Sequence, residues 1–303
     1  MLTVKNLTFS YNKTPVLKDL SFTAKQGENV AIIGESGSGK STLLNLIFGE
    51  SDLNQGQIFW KDEQVLGPKY NLVVGYDFMK YVSQEFDLMP FITVEENIGK
   101  HLSNFFPEEK KERTAELLEV VELTELAKTK VKTLSGGQKQ RVALARALAK
   151  QPEIILLDEP FSHIDNFQKQ SLRRNVFRYL KDKNITCVVA THDREDVLGF
   201  ADRMIVLYDN KIVVNDSPEN LFKNPEAPLI ASFFGEFNII GDAIIYAHQL
   251  KMVTNSELKA TVIHAYFKGH YYLIEALLDD DVVFFESKTN LEKNTTQYLE
   301  IIR

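Results

Sequence analysis

The most chemically explicit stretch of the chain is Gly34-Glu35-Ser36-Gly37-Ser38-Gly39-Lys40-Ser41, which fills every fixed position of the pattern G-x-x-x-x-G-K-[ST]. Its chemistry is the binding of a nucleoside triphosphate. The glycines let the backbone turn tightly and aim several N–H groups inward at phosphate oxygens, with no Cβ in the way. Lys40 suits the β- and γ-phosphates, and the Ser41 hydroxyl suits a Mg²⁺ position. A loop of this kind needs a strand before it and a helix after it. Residues 30–33 are a short apolar strand, and residues 40–48 are a helix-compatible run stopped by Gly49. The positive end of that helix faces the phosphates.

A second group of reactive side chains follows two further apolar runs. Residues 154–157 read as a fully buried strand ending in Asp158-Glu159-Pro160, and residues 185–190 as another ending in Thr191-His192-Asp193. Open α/β sheets bind ligands at the carboxyl ends of their strands. Asp158 can hold a metal, directly or through water, while Glu159 can polarise an attacking water. His192 lies at the same edge, where a neutral imidazole bonds a γ-phosphate or that water. Tyr11, among the early strands, offers a ring for stacking on a purine, worth about 1–3 kcal/mol per base in nucleic-acid sites. Its alternative is ordinary aromatic packing. Leu134-Ser135-Gly136-Gly137-Gln138 precedes an Ala- and Leu-rich helix over residues 139–150. Glycine turn followed by helix N-terminus is again anion-binding geometry, with a helix cap through Ser135 as the alternative.

The remaining elements must hold these residues in place. Residues 2–11 and 20–24 alternate like strands, residues 57–60 and 79–82 are further short strands, and residues 204–208 and 211–215 form a hairpin about Asp209-Asn210. From Pro90 to about Lys150 the pattern turns helical, with residues 108–128 an amphipathic helix carrying Leu117, Leu118, Val121 and Leu126. A chain of 303 residues has room for one large domain and a small one. The net charge of −7, without a long basic block, argues against a nucleic-acid partner. The single cysteine, Cys187, sits in an apolar strand, which rules out an intrachain disulfide and suits a reducing compartment. The N-terminus lacks a signal-peptide pattern and no apolar stretch is long enough to span a bilayer, so a membrane role would need another chain.

Taken in order, these pieces resemble the nucleotide-binding subunit of the ATP-binding-cassette (ABC) transporters over about residues 1–229. The resemblance implies that Tyr11 is the adenine-stacking aromatic and that residues 34–41, with Thr42, form the phosphate loop. It implies that Gln84, in Tyr81-Val82-Ser83-Gln84, touches Mg²⁺ and the water, and that Leu134 to Gln138 is the family signature. Asp158 and Glu159 match the metal-binding aspartate and catalytic glutamate, Ser162-His163-Ile164-Asp165 the segment crossing a dimer interface, and His192 the switch histidine. Ile164 stands where leucine is more usual, which touches nothing catalytic. The implied fold is an α/β phosphate-loop NTPase cassette, a mixed sheet core with a helical subdomain at about residues 86–150. The implied cofactors are ATP and Mg²⁺.

After Pro218, Pro225 and Pro228 the composition becomes strand-rich, with strands expected at residues 239–246, 261–267, 271–277 and 282–286. Lys268-Gly269-His270 and Asp279-Asp280-Asp281 read as turns. Residues 230–303 are expected to form a small all-β, OB-like barrel, resembling the accessory C-terminal domain of importer ATPases and entered at Gly235-Glu236-Phe237-Asn238. The whole reads as an ATPase peripheral to the cytoplasmic face of the cell membrane, powering solute transport, import above export, through a separate permease. Its implied partners are permease subunits, a second copy or a similar chain, and, through the permease, an extracytoplasmic solute-binding protein. Phe86, Leu88, Met89 and Phe91 are the expected contacts for a permease helix. A soluble ABC ATPase outside transport is the alternative class.

Overall fold

The computed structural model describes residues 1–302, which divide into two compact units, Met1–Pro218 and a second from Glu219 onward. In the first, β1 (Leu2–Phe9) and β2 (Leu17–Ala24) pair antiparallel. Next, β3 (Asn29–Gly34) feeds α1 (Lys40–Phe48), and β4 (Gln55–Trp60) and β5 (Glu63–Gln64) complete an antiparallel sheet of order β2-β1-β4-β5. Then come β6 (Met79–Val82), helices α2 (Val94–Gly99), α3 (Pro107–Val120) and α4 (Gly136–Leu148), and the alternating run β7 (Ile154–Asp158), α5 (Asn166–Asp182), β8 (Thr186–Ala190), α6 (Arg194–Phe200) and β9 (Arg203–Tyr208). With β10 (Lys211–Asp216) these build a six-stranded sheet of order β10-β9-β3-β8-β7-β6. All its pairings are parallel except β9 with β10.

The burial explains the sequence. β7 and β8 are buried at every position, and an interior parallel strand needs apolar side chains on both faces. Helix α1 presents Leu43, Leu44 and Ile47 to a core shared with Val4, Leu20 and Trp60 of the antiparallel sheet and with Ile32 and Leu156 of the parallel one. Both residues of the β9–β10 turn, Asp209 and Asn210, have positive φ, 47° and 64°, as a tight type I′ hairpin requires.

Two helices differ from expectation. The run 108–128 is not one helix: α3 stops at Val120, Glu122 turns left-handed at φ 56°, and Leu126 belongs to a short 3₁₀ turn. The end is closed locally: with Glu122 left-handed, the Leu123 N–H donates to the Leu118 carbonyl at 2.8 Å and the Glu122 N–H to the Glu119 carbonyl at 3.0 Å. The Arg141 guanidinium of α4 then donates to the Glu122 carbonyl at 3.2 Å. Helix α4 starts at Gly136, before the expected residue 139, because Ser135 and Gln138 close a capping box. Among the described residues no helix is long and apolar enough to cross a membrane.

The second unit contains most of α7 (Pro218–Lys223), then α8 (Pro228–Phe234) and seven strands: β11 (Phe237–Ile240), β12 (Ala243–Tyr246), β13 (Leu250–Val253), β14 (Leu258–Phe267), β15 (Tyr272–Leu278), β16 (Asp281–Ser287) and β17 (Thr296–Ile301). Five form an antiparallel sheet of order β13-β17-β14-β15-β16 around Leu250, Val262, Ile274, Phe285 and Leu299, a small barrel-like domain. The expected single strand 239–246 is a hairpin, β11–β12, because Gly241 turns at φ 63°. Asn238 ties that hairpin to the sheet, exchanging hydrogen bonds with the Phe284 N–H at 2.6 Å and its carbonyl at 2.8 Å. The units divide at Pro218/Glu219, the first of the prolines after which the composition shifts, while the family resemblance extended to about residue 229. Phe222 of α7 stacks on Tyr246 and packs edge-on against Phe234, so the short helices belong with the sheet that follows them.

Candidate nucleotide-hydrolysis site

The phosphate loop runs from the end of β3 to the start of α1, where Gly39 caps the helix at φ 95°. Only glycine fits there, since a Cβ would also lie 2.7 Å from Leu17 Cδ2. Lys40 is buried and reaches back across the loop, donating from Nζ to the carbonyls of Gly34 at 2.8 Å and Glu35 at 2.9 Å. Burial lowers its pKa, and the carboxylates of Glu159 and Asp158 oppose that shift. A charge so placed gains from any further anion brought into the loop.

Parallel pairing of β7 with β8 sets Asp158 opposite Ala190, so the strand-end carboxylates and His192 emerge at one edge. The chain turns at once after β7: Glu159 adopts φ 48°, a left-handed conformation costing about 1–3 kcal/mol for a non-glycine residue. Hydrogen bonds over-determine it. Its N–H donates to the Ala190 carbonyl at 2.9 Å and its own carbonyl accepts from Gln140 Nε2 at 2.9 Å. The Glu159 side chain thereby meets His192, Oε1 to Nδ1, at 3.0 Å. Asp158 is 3% exposed. Burial raises its pKa, opposed by hydrogen bonds from the Ser41 and Tyr81 hydroxyls. Its Oδ2 receives the Tyr81 hydroxyl at 3.3 Å, while Oδ1 is buried with no hydrogen-bond partner.

A cavity of about 700 Å³ gathers Tyr11, Gly34, Ser36, Gly37, Gly39, Lys40, Ser41, Thr42, Gln84, Glu159 and His192. The Tyr11 ring is 63% exposed, standing edge-on against Phe9 with its hydroxyl 3.3 Å from Thr42 Oγ1. Glu35 and Ser38 line the outer side of the same loop. Ser135, Gly136, Gly137 and Gln138 do not line this cavity. Ser135 Oγ accepts from the Gln138 N–H at 3.3 Å and Gln138 Oε1 accepts from the Ser135 N–H at 2.9 Å, so both side chains serve the start of α4. Sequence reasoning passed over Gln140, which is 1% exposed and links α4 to Glu159 and to the His163 N–H. A polar residue inside an Ala- and Leu-rich helix was the available signal.

Gly137 packs against the segment after Glu159, where a Cβ would lie 2.6 Å from the His163 carbonyl oxygen. Backbone cannot yield there cheaply. Gly137→Ala is expected to cost about 1–3 kcal/mol of stability, read as a lowered thermal midpoint. A midpoint equal to wild type would mean the two segments separate freely.

Strand, phosphate loop, helix and the strand-end carboxylates together define a phosphate-loop nucleotide-binding ATPase. Comparison with known proteins narrows the class: the model of the family described as ABC transporter matches residues 17–162. The Fe(3+) ions import ATP-binding protein FbpC of Haemophilus influenzae (strain 86-028NP) is 40% identical over 238 residues, covering 78% of this chain and 68% of the relative. The sulfate/thiosulfate import ATP-binding protein CysA 1 of Agrobacterium fabrum is 38% identical over 253 residues, covering 82% and 72%. Among solved structures, the dimeric post-hydrolysis ATP-binding cassette MJ0796 bound to ADP and Pi superposes with a TM-score of 0.63 at 32% identity, covering 72% of this chain and 98% of that one. The chain belongs to the ABC transporter family, as one of its ATP-hydrolysing subunits.

Proposed function

We propose that this chain powers solute import through a separate membrane permease, bound at the cytoplasmic face of the membrane as a pair of cassettes. The observation that carries the reading is the single cavity in which Lys40, Gln84, Glu159 and His192 converge. Lys40 and the loop N–H groups bind the β- and γ-phosphates, and Tyr11 stacks on the adenine. Glu159, held by His192, accepts a hydrogen bond from the attacking water and takes its proton as the new P–O bond forms. The bond to the leaving β-phosphate oxygen breaks and its electron pair departs with ADP. Gln84 orients the same water.

The donor set fits a divalent cation. The Asp158 Oδ1 atom is buried and unpartnered, and the Ser41 hydroxyl favours the charged form of the same carboxyl. Among the described residues no cluster of three His, Cys, Asp or Glu stands ready as a cage, which suits a Mg²⁺ held by few protein ligands and by phosphate oxygens. Ser41, Asp158 and Gln84 would hold it, and it would supply neutralisation of phosphate charge.

Ser135, Gly136, Gly137 and Gln138 act on a second copy or similar chain. Their position at the N-terminus of the 13-residue α4 gives them N–H donors and a positive dipole end, but their own cavity does not use them. In a head-to-tail pair each set closes the γ-phosphate held by the partner's loop. The relatives named for Fe(3+) and sulfate/thiosulfate import support the inward direction of transport. An extracytoplasmic solute-binding protein would then act through the permease.

The permease contact is assigned to a cavity of about 420 Å³ beside Gln84, lined by Phe86, Tyr81, Val82, His101, Arg146 and Lys150 among others. Met89 and Phe91, on the same segment, are exposed apolar side chains available to a partner helix. Phe86→Asp is expected to abolish solute uptake in cells while leaving basal ATP hydrolysis of the isolated chain near wild type. Loss of both activities would overturn the assignment. For the function as a whole, a deletion strain should lose uptake of one solute with its efflux unchanged; a defect in efflux alone would make the subunit part of an exporter.

A further inference from the structure

In sequence Tyr81 is one residue of the short strand 79–82, with no role of its own. The structure gives its hydroxyl one. β6 and β7 run parallel with Tyr81 opposite Leu156, so its side chain reaches along the sheet to the strand end, where the hydroxyl donates to Asp158 Oδ2 at 3.3 Å. The ring is fixed from the other side by Phe48, the last residue of α1, at 5.6 Å between centroids. Asp158 therefore has one oxygen, Oδ2, accepting from the Tyr81 hydroxyl and one, Oδ1, buried with no hydrogen-bond partner. A carboxylate pinned in this way presents its open lone pairs in one direction. Mg²⁺ demands near-ideal octahedral geometry, so a small rotation of the ligand is costly.

We propose that Tyr81 is a positioning residue for the divalent cation of this ATPase, its hydroxyl orienting Asp158 so that Oδ1 is the ligating atom. This rests on the reading of Asp158 as a metal ligand. The Ser41 hydroxyl also favours the charged form of this carboxyl, but its oxygen is itself assigned to the cation, which leaves Tyr81 as the partner dedicated to orientation. Partners of this kind typically change metal affinity by about 10–100-fold when removed.

The test is calorimetric titration of the full chain with the non-hydrolysable analogue AMPPNP, with Mg²⁺ and with EDTA, for wild type, Tyr81→Phe and Asp158→Asn. In Tyr81→Phe the Mg²⁺ concentration that half-saturates nucleotide binding should rise by about 10-fold, while affinity in EDTA and the thermal midpoint stay at wild-type values. Asp158→Asn should lose the Mg²⁺ response altogether. A Tyr81→Phe variant with a wild-type Mg²⁺ response, beside an Asp158→Asn variant that has lost it, overturns the role of Tyr81 alone. Equal weakening of Tyr81→Phe in Mg²⁺ and in EDTA overturns it too, by assigning the residue to packing. An Mg²⁺ response kept by Asp158→Asn removes the reading of Asp158, and this proposal with it.

Discussion

Glu159→Gln is expected to reduce ATP turnover by about 10²–10⁴-fold, the range lost with a general base, while ATP remains bound. The amide keeps the shape of the side chain and can still meet His192, now 3.0 Å away, but it cannot take a proton from water. Nothing in the loop changes, because the cradle is made by backbone N–H groups and Lys40. ATP bound but not consumed should then hold two cassettes together, since each Ser135-Gly136-Gly137-Gln138 is away from its own cavity and available to a partner. Light scattering on a sizing column, with and without Mg-ATP, reads the result. An ATP-dependent dimer supports the sandwich. A monomer with ATP bound would overturn the homodimeric arrangement and direct attention to pairing with a different chain.

Lys40→Ala should act one step earlier. The ammonium is buried against loop carbonyls and gains most when phosphate charge arrives, because burial has already lowered its pKa. Hydrogen bonds to charged groups contribute about 1.5–3 kcal/mol, so ATP affinity should fall by about 10–100-fold. Hydrolysis should fall further, by about 10²–10³, as for other donors that meet charge developing in a transition state. Calorimetry and steady-state turnover on the same preparation separate the two effects. An unchanged dissociation constant would remove Lys40 from phosphate binding. The pair of variants is diagnostic: Glu159→Gln should bind and stall, and Lys40→Ala should bind more weakly as well as turn over more slowly.

Much of this was legible in the chain because it is local. The phosphate loop, the strand before it and the helix ended by Gly49 depend on residues adjacent in sequence: apolar run, left-handed glycines, helix stop. The buried strands β7 and β8 announced themselves by unbroken apolar composition, and the sheet edge then followed from strand polarity. Asp158, Glu159 and His192 could thus be placed together from sequence, and the structure brings Glu159 and His192 into contact. The ends of helices were less legible. Val121 and Leu126 kept a helical spacing past Val120, but Glu122 takes the left-handed turn that closes α3 without the glycine that usually marks such an end.

What only tertiary structure decided is the set of hydrogen bonds between distant side chains. Tyr81 and Asp158 are 77 positions apart, and their contact exists because β6 and β7 pair in one register; a shift of one residue would send the hydroxyl to the other face. Gln140 meets the carbonyl of Glu159 for a similar reason, across a packing of helix on strand end that no periodicity encodes. Sequence alone thus determined which groups could do the chemistry and at which sheet edge they lie. The fold decided which oxygen of Asp158 is left free and how Glu159 is held in its left-handed turn, because orientation depends on partners that meet only after the chain has packed.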